Sequence, residues 1–314
     1  MAGRLKCVVL GGGGFIGSHV VDALVEQGHS VRVFERQNVN IRNIAHVLGH
    51  IELMHGDFLN EDDLCRAVVG MDVVVHLVST TLPKSSNDDV AYDIETNVIG
   101  TIRLLNLVKQ TGVRKIIFAS SGGTVYGVPQ FQPIAETHPT APICSHGIAK
   151  VTIEKYLHLY HHLYGLDYTV LRFANPYGGR QDPMSGQGAV TAFLWQILKG
   201  EPISIWGDGT VARDYFYISD LVSAVVAAIE RDAPSKIYNI AGGVSHTLNE
   251  LVNIMQPITG RIPVIQYSPA RKLDVPSNIL DISRARKELL WQPQVPLEEG
   301  LLRTWEWLKH RKAD

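Results

Sequence analysis

The stretch KCVVLGGGGFIGSHVVDALVEQG, residues 6–28, decides the fold of this chain. It begins with a short apolar run that predicts a β-strand, and residues 15–27 have the periodicity of an amphipathic helix. Between them, Gly11, Gly14 and Gly17 have the spacing G-x-x-G-x-x-G. The first glycine allows a tight turn, the second lets a pyrophosphate approach the backbone, and the third allows the helix to pack closely on the strand. The stretch therefore predicts a strand–turn–helix unit whose helix amino terminus faces an anion.

An acidic residue at the end of the second predicted strand extends this interpretation. Glu35 closes the run SVRVFE, eighteen positions beyond Gly17. A carboxylate at this place accepts hydrogen bonds from both hydroxyls of an adenosine ribose and repels a 2′-phosphate. We therefore expect NAD as the cofactor, although Arg36 beside it leaves NADP open.

The alternation of β-branched runs with helical patterns in the first half predicts the fold class. Near-continuous apolar strands separated by helices are typical of a parallel sheet covered on both faces. We expect an α/β fold, with a doubly wound parallel-sheet Rossmann domain and a smaller α/β substrate-binding domain. The helical patterns lie at 15–27, 61–68, 89–110 and 147–164.

We place the boundary between the two expected domains near Asn175. There the regular alternation of strand and helix patterns ends, and loops rich in Gly, Pro and Asp begin. A capping box, Thr247 with Glu250, opens a later helix. We assign residues 1–174 and 215–243 to the Rossmann domain, and residues 175–214 and 244–314 to the smaller domain.

Composition and charge exclude several classes of function. The chain has 314 residues, 19% of them charged, and a formal net charge of −2, so no basic field indicates nucleic acid or an anionic membrane. The longest apolar run, residues 221–229, is too short to span a bilayer, and the amino terminus lacks the apolar region of a signal peptide. Three cysteines are too few for a disulfide framework or a zinc site. We expect a soluble cytoplasmic protein.

Eight short motifs in a fixed order carry a family resemblance. They are GGGGFIG, HGDFLN, VVHLVS, NVIGTIRLL, FASSGGTVYG, LRFANPYG, WGDGTVARDYFYISD and ARKLDVP, and together they span nearly the whole chain. In this combination the sequence resembles the extended short-chain dehydrogenase/reductase family, most closely its UDP-glucose 4-epimerase-like nucleotide-sugar branch. The resemblance implies NAD as the cofactor and a UDP-sugar as the substrate.

The resemblance also implies which residues hold the cofactor. Asp57 and Phe58 would hold the adenine, and Ser79 would line the cleft. Lys150 would donate a hydrogen bond to the nicotinamide ribose, whereas the alternative is a solvated helix lysine paired with Glu154 at i+4. The implied cofactor residues are Gly11, Gly14, Phe15, Ile16, Gly17, Glu35, Arg36, Asp57, Phe58, Leu77, Ser79, Asn97, Ser120 and Lys150.

On the substrate side, the resemblance implies two arginines that grip the nucleotide diphosphate, Arg213 and Arg271. A planar guanidinium suits this role because it binds phosphate oxygens through paired, charge-assisted hydrogen bonds. Asn278 matches the position where a bulky family residue excludes an N-acetyl group at C2. Arg180 could meet a sugar carboxylate, or simply accompany Asp182 in its loop. The implied substrate residues are Thr81, Thr124, Asn175, Arg180, Ala189, Val190, Ser204, Trp206, Arg213, Arg271 and Asn278.

The resemblance implies a reaction at C4 of the sugar. In this branch NAD takes a hydride from C4 while a base removes the C4 hydroxyl proton, and the rotated keto-sugar receives the hydride on its other face. Dehydratase and decarboxylase relatives place a carboxylate directly before Val-Tyr-Gly. Thr124 occupies that place here, so elimination lacks its acid and epimerisation is favoured. Gly122 replaces the family's catalytic serine, so we expect the hydroxyl that bonds O4 from Thr124, then Ser121 or Ser120.

The family's catalytic tyrosine is replaced by His146, four residues before Lys150. An imidazole near a cation stays a neutral base at pH 7, so basicity is not the obstacle. Its far nitrogen reaches roughly two ångströms less far than a tyrosine hydroxyl, and catalysis is sensitive to misplacements of about one ångström. Three readings stay open: a substitute base in a working enzyme, an engineered Tyr→His change, or a protein that binds a sugar nucleotide and barely turns it over.

Other assignments compete with the epimerase. A nucleotide-sugar reductase or dehydrogenase with net redox turnover fits the same motifs, and so does a catalytically silent nucleotide-sugar binder. Cys144 has no implied partner base for nucleophilic catalysis, and His158 with His162 lacks further ligands for a metal, so we expect neither. The helices at 89–110 and 149–163 correspond to a four-helix dimer interface in relatives, which predicts a homodimer. The sugar stays open among hexoses, N-acetylhexosamines and uronic acids.

Overall fold

Seven parallel strands form the centre of the molecule, of which the computed structural model describes residues 3–270 and 275–311. The strands are β1 Lys6–Leu10, β2 Ser30–Glu35, β3 Ile51–His55, β4 Val73–His76, β5 Lys115–Ser121, β6 Asp167–Phe173 and β10 Ile237–Ile240. They lie in the order β10-β6-β5-β4-β1-β2-β3, and every neighbouring pair is parallel. The chain winds outward from β1 in both directions, which confirms the predicted doubly wound α/β fold. The switch point, where such sheets bind their ligands, lies between β1 and β4.

Helices cover both faces of this sheet and build the rest of the chain. The α-helices are α1 Phe15–Glu26, α2 Glu61–Val68, α3 Val90–Asp93, α4 Gly100–Thr111, α5 Ser145–Tyr164, α6 Ala189–Lys199, α7 Ile218–Glu230, α8 Leu248–Thr259 and α9 Leu297–His310. A 3-10 helix lies at Arg42–His50, and π-helical stretches lie at Ile94–Ile99 and Ala285–Leu289. Each helix in the described part of the chain is too short or too polar to cross a lipid bilayer.

The predicted helix at 89–110 is not one continuous α-helix. It consists of α3, the π-helical stretch and α4. Side chains in this segment bond backward to main-chain carbonyls: the Thr96 hydroxyl donates to the Tyr92 oxygen (2.7 Å) and the Asn97 amide donates to the Asp93 oxygen (3.1 Å). Such bonds compete with the regular helical ladder. Asp93 and Asn97 both lie buried beside this widened turn, a feature that is frequent at functional sites.

Two buried apolar clusters cover the two faces of the sheet. Alternate residues of β1 belong to different clusters, Cys7 and Val9 to one, Val8 and Leu10 to the other. Residues of α1 and α7 complete the first cluster, and residues of α2, α4 and α5 complete the second. Burial on both faces explains why the central strands appear in the sequence as continuous apolar runs.

A smaller β-structure lies beyond the sheet. In it, β9 Ala212–Tyr217 pairs with β7 Asn175–Tyr177, β11 Ser245–Thr247 and β13 Ser277–Asn278, while β8 Ile203–Trp206 pairs with β12 Ile265–Ser268. A third apolar cluster packs α6, α8 and α9 together. Helix α8 begins with the predicted capping box, in which Thr247 and Glu250 each accept a hydrogen bond from the other's backbone N–H. The division into two domains stays a prediction.

Candidate active site

The glycine-rich turn between β1 and α1 leaves the amino end of α1 open. Gly11 has a φ of +84°, and a Cβ at Gly17 would lie only 2.1 Å from the Gly11 carbonyl oxygen, so both positions require glycine. A Cβ at Gly14 would meet only that same oxygen, at 3.5 Å, and no side chain caps the helix there. The partly buried side chains of Phe15 and Ile16 pack against the core. The first backbone N–H groups of α1 are therefore available to an anion such as a pyrophosphate.

The predicted ribose ligand lies against this turn. The Glu35 carboxylate accepts hydrogen bonds from the Gly13 N–H (3.0 Å) and from the Arg36 N–H (3.3 Å). It stands at the carboxyl end of β2, beside the turn, whereas the Arg36 side chain is exposed. This arrangement offers a carboxylate, and not a guanidinium, to the hydroxyls of an adenosine ribose.

The residues predicted for the adenine differ in exposure. Asp57 is exposed, and one of its carboxylate oxygens accepts from the Leu59 N–H (2.9 Å). Phe58 is 5% exposed, because its ring packs in the core against the His76 ring, with 5.2 Å between centroids, and against the backbone at Gly100. The Phe58 ring is thus not available to an adenine, and the backbone beside Asp57 is the remaining contact surface.

Two further cofactor predictions lie past the end of β4. The half-buried Leu77 directly follows the strand, and its N–H bonds the Leu10 carbonyl (3.1 Å). The Ser79 hydroxyl donates to the Thr81 carbonyl (3.1 Å), and the side-chain amide oxygen of Asn97 accepts from the Thr80 N–H (3.0 Å). The structure thus brings these residues to the β1–β4 switch point, close to the glycine turn.

The predicted base, His146, lies in the first turn of α5 and is 8% exposed. The N-cap residue Cys144 makes no side-chain cap, and the loop before α3 supplies one instead. The His146 N–H donates to the Ser86 hydroxyl (3.1 Å) and the Ser145 N–H donates to the Asn87 amide oxygen (2.9 Å). Burial, and then the charge of Lys150, lower the imidazole pKa to about 4. The imidazole is therefore a neutral free base at pH 7, as expected.

Lys150 is buried and faces inward. Its Nζ donates to the Ala119 carbonyl (2.9 Å) and lies 4.8 Å from the centroid of the Phe118 ring. Burial lowers its pKa to about 8, against the opposing charges of Asp93 and Glu154. The alternative of a solvated helix lysine is thus wrong, because Lys150 is 7% exposed.

Glu154 is committed to another partner. Its carboxylate forms a buried ion pair with Arg172 (Nε–Oε1 3.0 Å) and accepts a hydrogen bond from the Ser120 hydroxyl (2.6 Å). Tyr126 of the Val-Tyr-Gly motif extends this network, since its hydroxyl accepts from Arg172 and donates to Asn239. The Ser120 hydroxyl is therefore bonded to Glu154, and Ser120 is not among the residues that line the neighbouring cavity, which disfavours it as the group that bonds O4.

A cavity of about 500 Å³ is lined by Thr124 and by Cys144, two residues before His146, whereas His146 and Lys150 are not among its lining residues. The Thr124 hydroxyl oxygen and the Tyr215 hydroxyl oxygen are buried, and neither has a hydrogen-bond partner among the described residues. Sequence reasoning missed Tyr215, which directly follows the Arg-Asp pair of its motif. The predicted residues that line the cavity are Ser121, Thr124, Asn175, Ala189, Val190, Ser204, Trp206 and Arg213.

One part of the cavity wall combines a cation, Arg213, with an aromatic residue, Trp206. One guanidinium nitrogen of Arg213 donates to the carbonyls of Ala212 (2.9 Å) and Val275 (2.8 Å), which fixes this side chain in the wall. Trp206 is 43% exposed, so it is a surface aromatic residue and not a core tryptophan. The amide of Asn175 donates to the Asp214 carbonyl (3.1 Å).

Three of the predicted substrate residues that the structure describes do not line this cavity. Arg180 forms an ion pair with Asp22 (2.7 Å) and not with its neighbour Asp182. Its side chain is not part of the cavity wall. Asn278 is 1% exposed, and its amide donates to the Gly122 carbonyl (3.1 Å). The hydroxyl of Thr81, which is buried, donates to Asp93. Arg271 lies outside the described residues.

Packing explains the glycine at the family's serine position. A Cβ at Gly122 would lie 2.4 Å from Cδ1 of Leu280 and 3.1 Å from the Arg172 carbonyl oxygen. A serine therefore does not fit there while Leu280 keeps its place. Of the three hydroxyls predicted for O4, those of Thr124 and Ser121 belong to residues that line the cavity. Within the described ranges no cluster of histidine, cysteine or carboxylate side chains could hold a metal ion, and His158 and His162 are exposed.

Comparison with known proteins agrees with this geometry. Residues 7–241 match the family described as the NAD dependent epimerase/dehydratase family. The UDP-glucose 4-epimerase of Mycolicibacterium smegmatis is 34% identical over 320 residues, which cover 98% of this chain and 99% of that protein. The UDP-glucuronic acid decarboxylase 1 of Danio rerio is 30% identical over 307 residues, covering 96% of this chain and 72% of that one.

A solved structure is similarly close. The UDP-glucose 4-epimerase of Thermotoga maritima, crystallised with UDP-glucose, superposes with a TM-score of 0.92 at 39% identity. The superposition covers 97% of this chain and 99% of that chain. The relatives thus include proteins named for different reactions on UDP-sugars.

Proposed function

The chain belongs to the NAD-dependent epimerase/dehydratase family, and from that premise we propose that it is a UDP-sugar 4-epimerase in which His146 is the base. One observation carries the choice among the reactions of the family. In the described wall of the cavity, lysine and arginine are present but aspartate and glutamate are not. Elimination and decarboxylation in relatives use a carboxylate at the place that Thr124 occupies, so the wall suits the exchange of C4 configuration.

The residues around the β1–β4 switch point fit NAD. The amino end of α1 would hold the pyrophosphate, Glu35 would accept the adenosine ribose hydroxyls, and Lys150 would bond the nicotinamide ribose. NAD, when bound, supplies reversible oxidation of a carbinol carbon. The buried charge of Lys150 also keeps the neighbouring imidazole unprotonated, so the base is ready at neutral pH.

His146 and Thr124 divide the work at O4. The neutral imidazole takes the proton of the C4 hydroxyl when the carbon is oxidised and returns it when the carbon is reduced. The Thr124 hydroxyl, buried without a protein partner, hydrogen-bonds O4 and orients the sugar. At the other end of the cavity, Arg213 binds the diphosphate and Trp206 packs on the base, with Asn175, Ala189, Val190 and Ser204 completing the wall.

The decisive experiment incubates the purified protein and two variants with UDP-glucose, UDP-N-acetylglucosamine and UDP-glucuronate. We expect C4 epimers to form with the native chain, kcat to fall at least 100-fold in His146→Phe, and kcat to rise in His146→Tyr. Full activity in His146→Phe would show that the imidazole is not the base. Binding of a UDP-sugar without any product would favour the silent binder, and stoichiometric consumption of nicotinamide would favour the reductase.

We also propose that the protein is a homodimer. On α5, Ile148 is 50% exposed, Leu159 42% and Leu163 55%. At 100° per residue these three side chains fall within about 60° of one another, so they form one apolar stripe. Ile94 and Ile99 expose further apolar surface on the neighbouring π-helical stretch. Sedimentation velocity tests this proposal: a dimer is expected, and a monomer at micromolar concentration would refute it.

A further inference from the structure

A fully buried carboxylate lies behind the start of α5. Asp93, the last residue of α3, has no solvent exposure. Its Oδ2 accepts a hydrogen bond from the Ser145 hydroxyl (2.6 Å), and its Oδ1 accepts from the Asn97 amide (2.9 Å) and from the Thr81 hydroxyl. All three donors are uncharged. Burying a carboxylate with no cation bonded to it lowers the stability of a fold, because the charge loses its hydration. A functional role would explain why the charge is present.

The charge of Asp93 acts on the two groups at the centre of the proposed chemistry. It raises the pKa of His146 and of Lys150, against the effect of burial on both. The other charges near these groups lie on α5 itself: Lys150 acts on the imidazole, and Glu154 acts on Lys150. From the loop before α3, the uncharged side chains of Ser86 and Asn87 accept hydrogen bonds from the first turn of α5, and Lys84 of that loop lines the cavity. A hydrogen bond to the Thr81 backbone also raises the imidazole pKa.

The sign of this effect depends on which base the site uses. A tyrosine works as its anion, so a carboxylate nearby hinders it by raising the phenol pKa. A histidine works as the neutral base and becomes a cation when it accepts the proton. A carboxylate nearby therefore strengthens a histidine base, especially one that burial and Lys150 have weakened.

We propose that Asp93 is a positioning residue that adapts the site to a histidine base. Its carboxylate holds Ser145 in the first turn of α5 and stabilises the imidazolium that forms next to it. In this step the O–H bond at C4 breaks and an N–H bond forms on His146, so the positive charge appears on the ring. The inference rests on the proposed function, because it needs His146 to accept that proton.

The kinetic test places Asp93→Asn in two backgrounds, the native chain and His146→Tyr. Asparagine has the shape of aspartate, and the Ser145 hydroxyl can turn to accept from the new amide, so the network can stay intact. We expect kcat of the native background to fall roughly tenfold at pH 7.5, and kcat of the His146→Tyr background to hold or rise. Equal losses in both backgrounds would mean a merely structural role and would overturn the proposal.

An equilibrium test does not require turnover. The pKa of Lys150 can be followed by NMR of the chain labelled with ¹³C at lysine Cε. We expect the midpoint of this titration to fall below about 8 in Asp93→Asn, because the carboxylate that raises it is gone. Ser145→Ala, which keeps the carboxylate, should leave the midpoint in place. An unchanged midpoint in Asp93→Asn overturns this inference alone. Absence of C4 epimers in both backgrounds overturns the proposed function instead.

Discussion

The proposed cofactor end and the proposed reactive end of the site are built from different groups. At the cofactor end the backbone would do the binding, because glycines clear the space and no side chain caps the amino end of α1. At the reactive end the groups are the buried side chains of Lys150 and His146, and the charge of Asp93 acts on both. The backbone end needs only short-range sequence spacing. The side-chain end needs partners that are distant in sequence and meet only in the fold.

This difference has a consequence for tolerance to change. A backbone site is lost where an added side chain would overlap the turn, as at Gly17, because the N–H groups then cannot keep their positions. A side-chain site can exchange one functional group for another, as we propose for the histidine in place of tyrosine, provided that the surrounding charges suit the new group. We therefore expect the largest losses at the cofactor end and graded effects at the reactive end.

The largest effect is expected from Gly17→Ala. The new Cβ would lie 2.1 Å from the Gly11 carbonyl oxygen, so the turn and α1 must separate. We expect NAD affinity to fall at least 100-fold, measured by isothermal titration calorimetry. Gly49→Ala is the matched control, since nothing lies within 4 Å of its Cβ position, and it should bind NAD like the native chain. Near-native NAD affinity in Gly17→Ala would show that the cofactor end tolerates substitution as well as the reactive end does.

A smaller effect is expected from Gly122→Ser, which restores the family's hydroxyl. The Cβ would overlap Leu280, so we expect a loss of about 1–3 kcal/mol in the free energy of unfolding, measured by urea denaturation. Adding Leu280→Ala should relieve this overlap. The double variant should therefore lose less free energy of unfolding than the sum of the losses in Gly122→Ser and Leu280→Ala. Gly123→Ser is the control, because only the Ser121 hydroxyl lies near its Cβ position, at 3.9 Å. Additive losses would show that the overlap is absorbed elsewhere.

The smallest effect is expected from Lys150→Met, and it depends on pH. Burial lowers the folded-state pKa of Lys150 from its usual 10.5 to about 8, so the unfolded chain binds more protons between these values. The lysine thus costs stability below pH 8, and this cost disappears as pH rises to 10.5. We expect Lys150→Met to raise the free energy of unfolding of the cofactor-free chain by about 1–2 kcal/mol at pH 7, with the gain fading above pH 8. A gain that does not change with pH would contradict this origin.

The sequence predicts best what local spacing determines. The glycine turn, α2 at residues 61–68 and the Thr247–Glu250 cap lie where their patterns place them, because each depends on residues a few positions apart. The parallel sheet was predicted from the alternation of apolar strands with helices and not from spacing within one element. The π-helical stretch was not predicted, since its cause is a pair of side chains that bond backward to carbonyls.

Contacts between distant residues explain what the sequence could not give. Leu280 forces glycine at position 122 across more than 150 positions of chain, and Arg172 takes Glu154 away from Lys150. Neither pairing produces a recognisable spacing or motif in the sequence, so neither could be predicted from it. Asp93 lies four residues before Asn97 in a run that predicts only a helix, so its role behind α5 appears only when the network is seen.

The position of edge strand β10 in the sequence also affects how the chain folds during its synthesis on the ribosome. Its hydrogen-bonding partner is β6, yet β7, α6, β8, β9 and α7 are all synthesised between the two. At roughly 5–20 residues per second, β6 emerges several seconds before the strand that will cover it. During that interval the nascent chain exposes an unpaired apolar edge, the kind of surface to which chaperones and other nascent chains adhere.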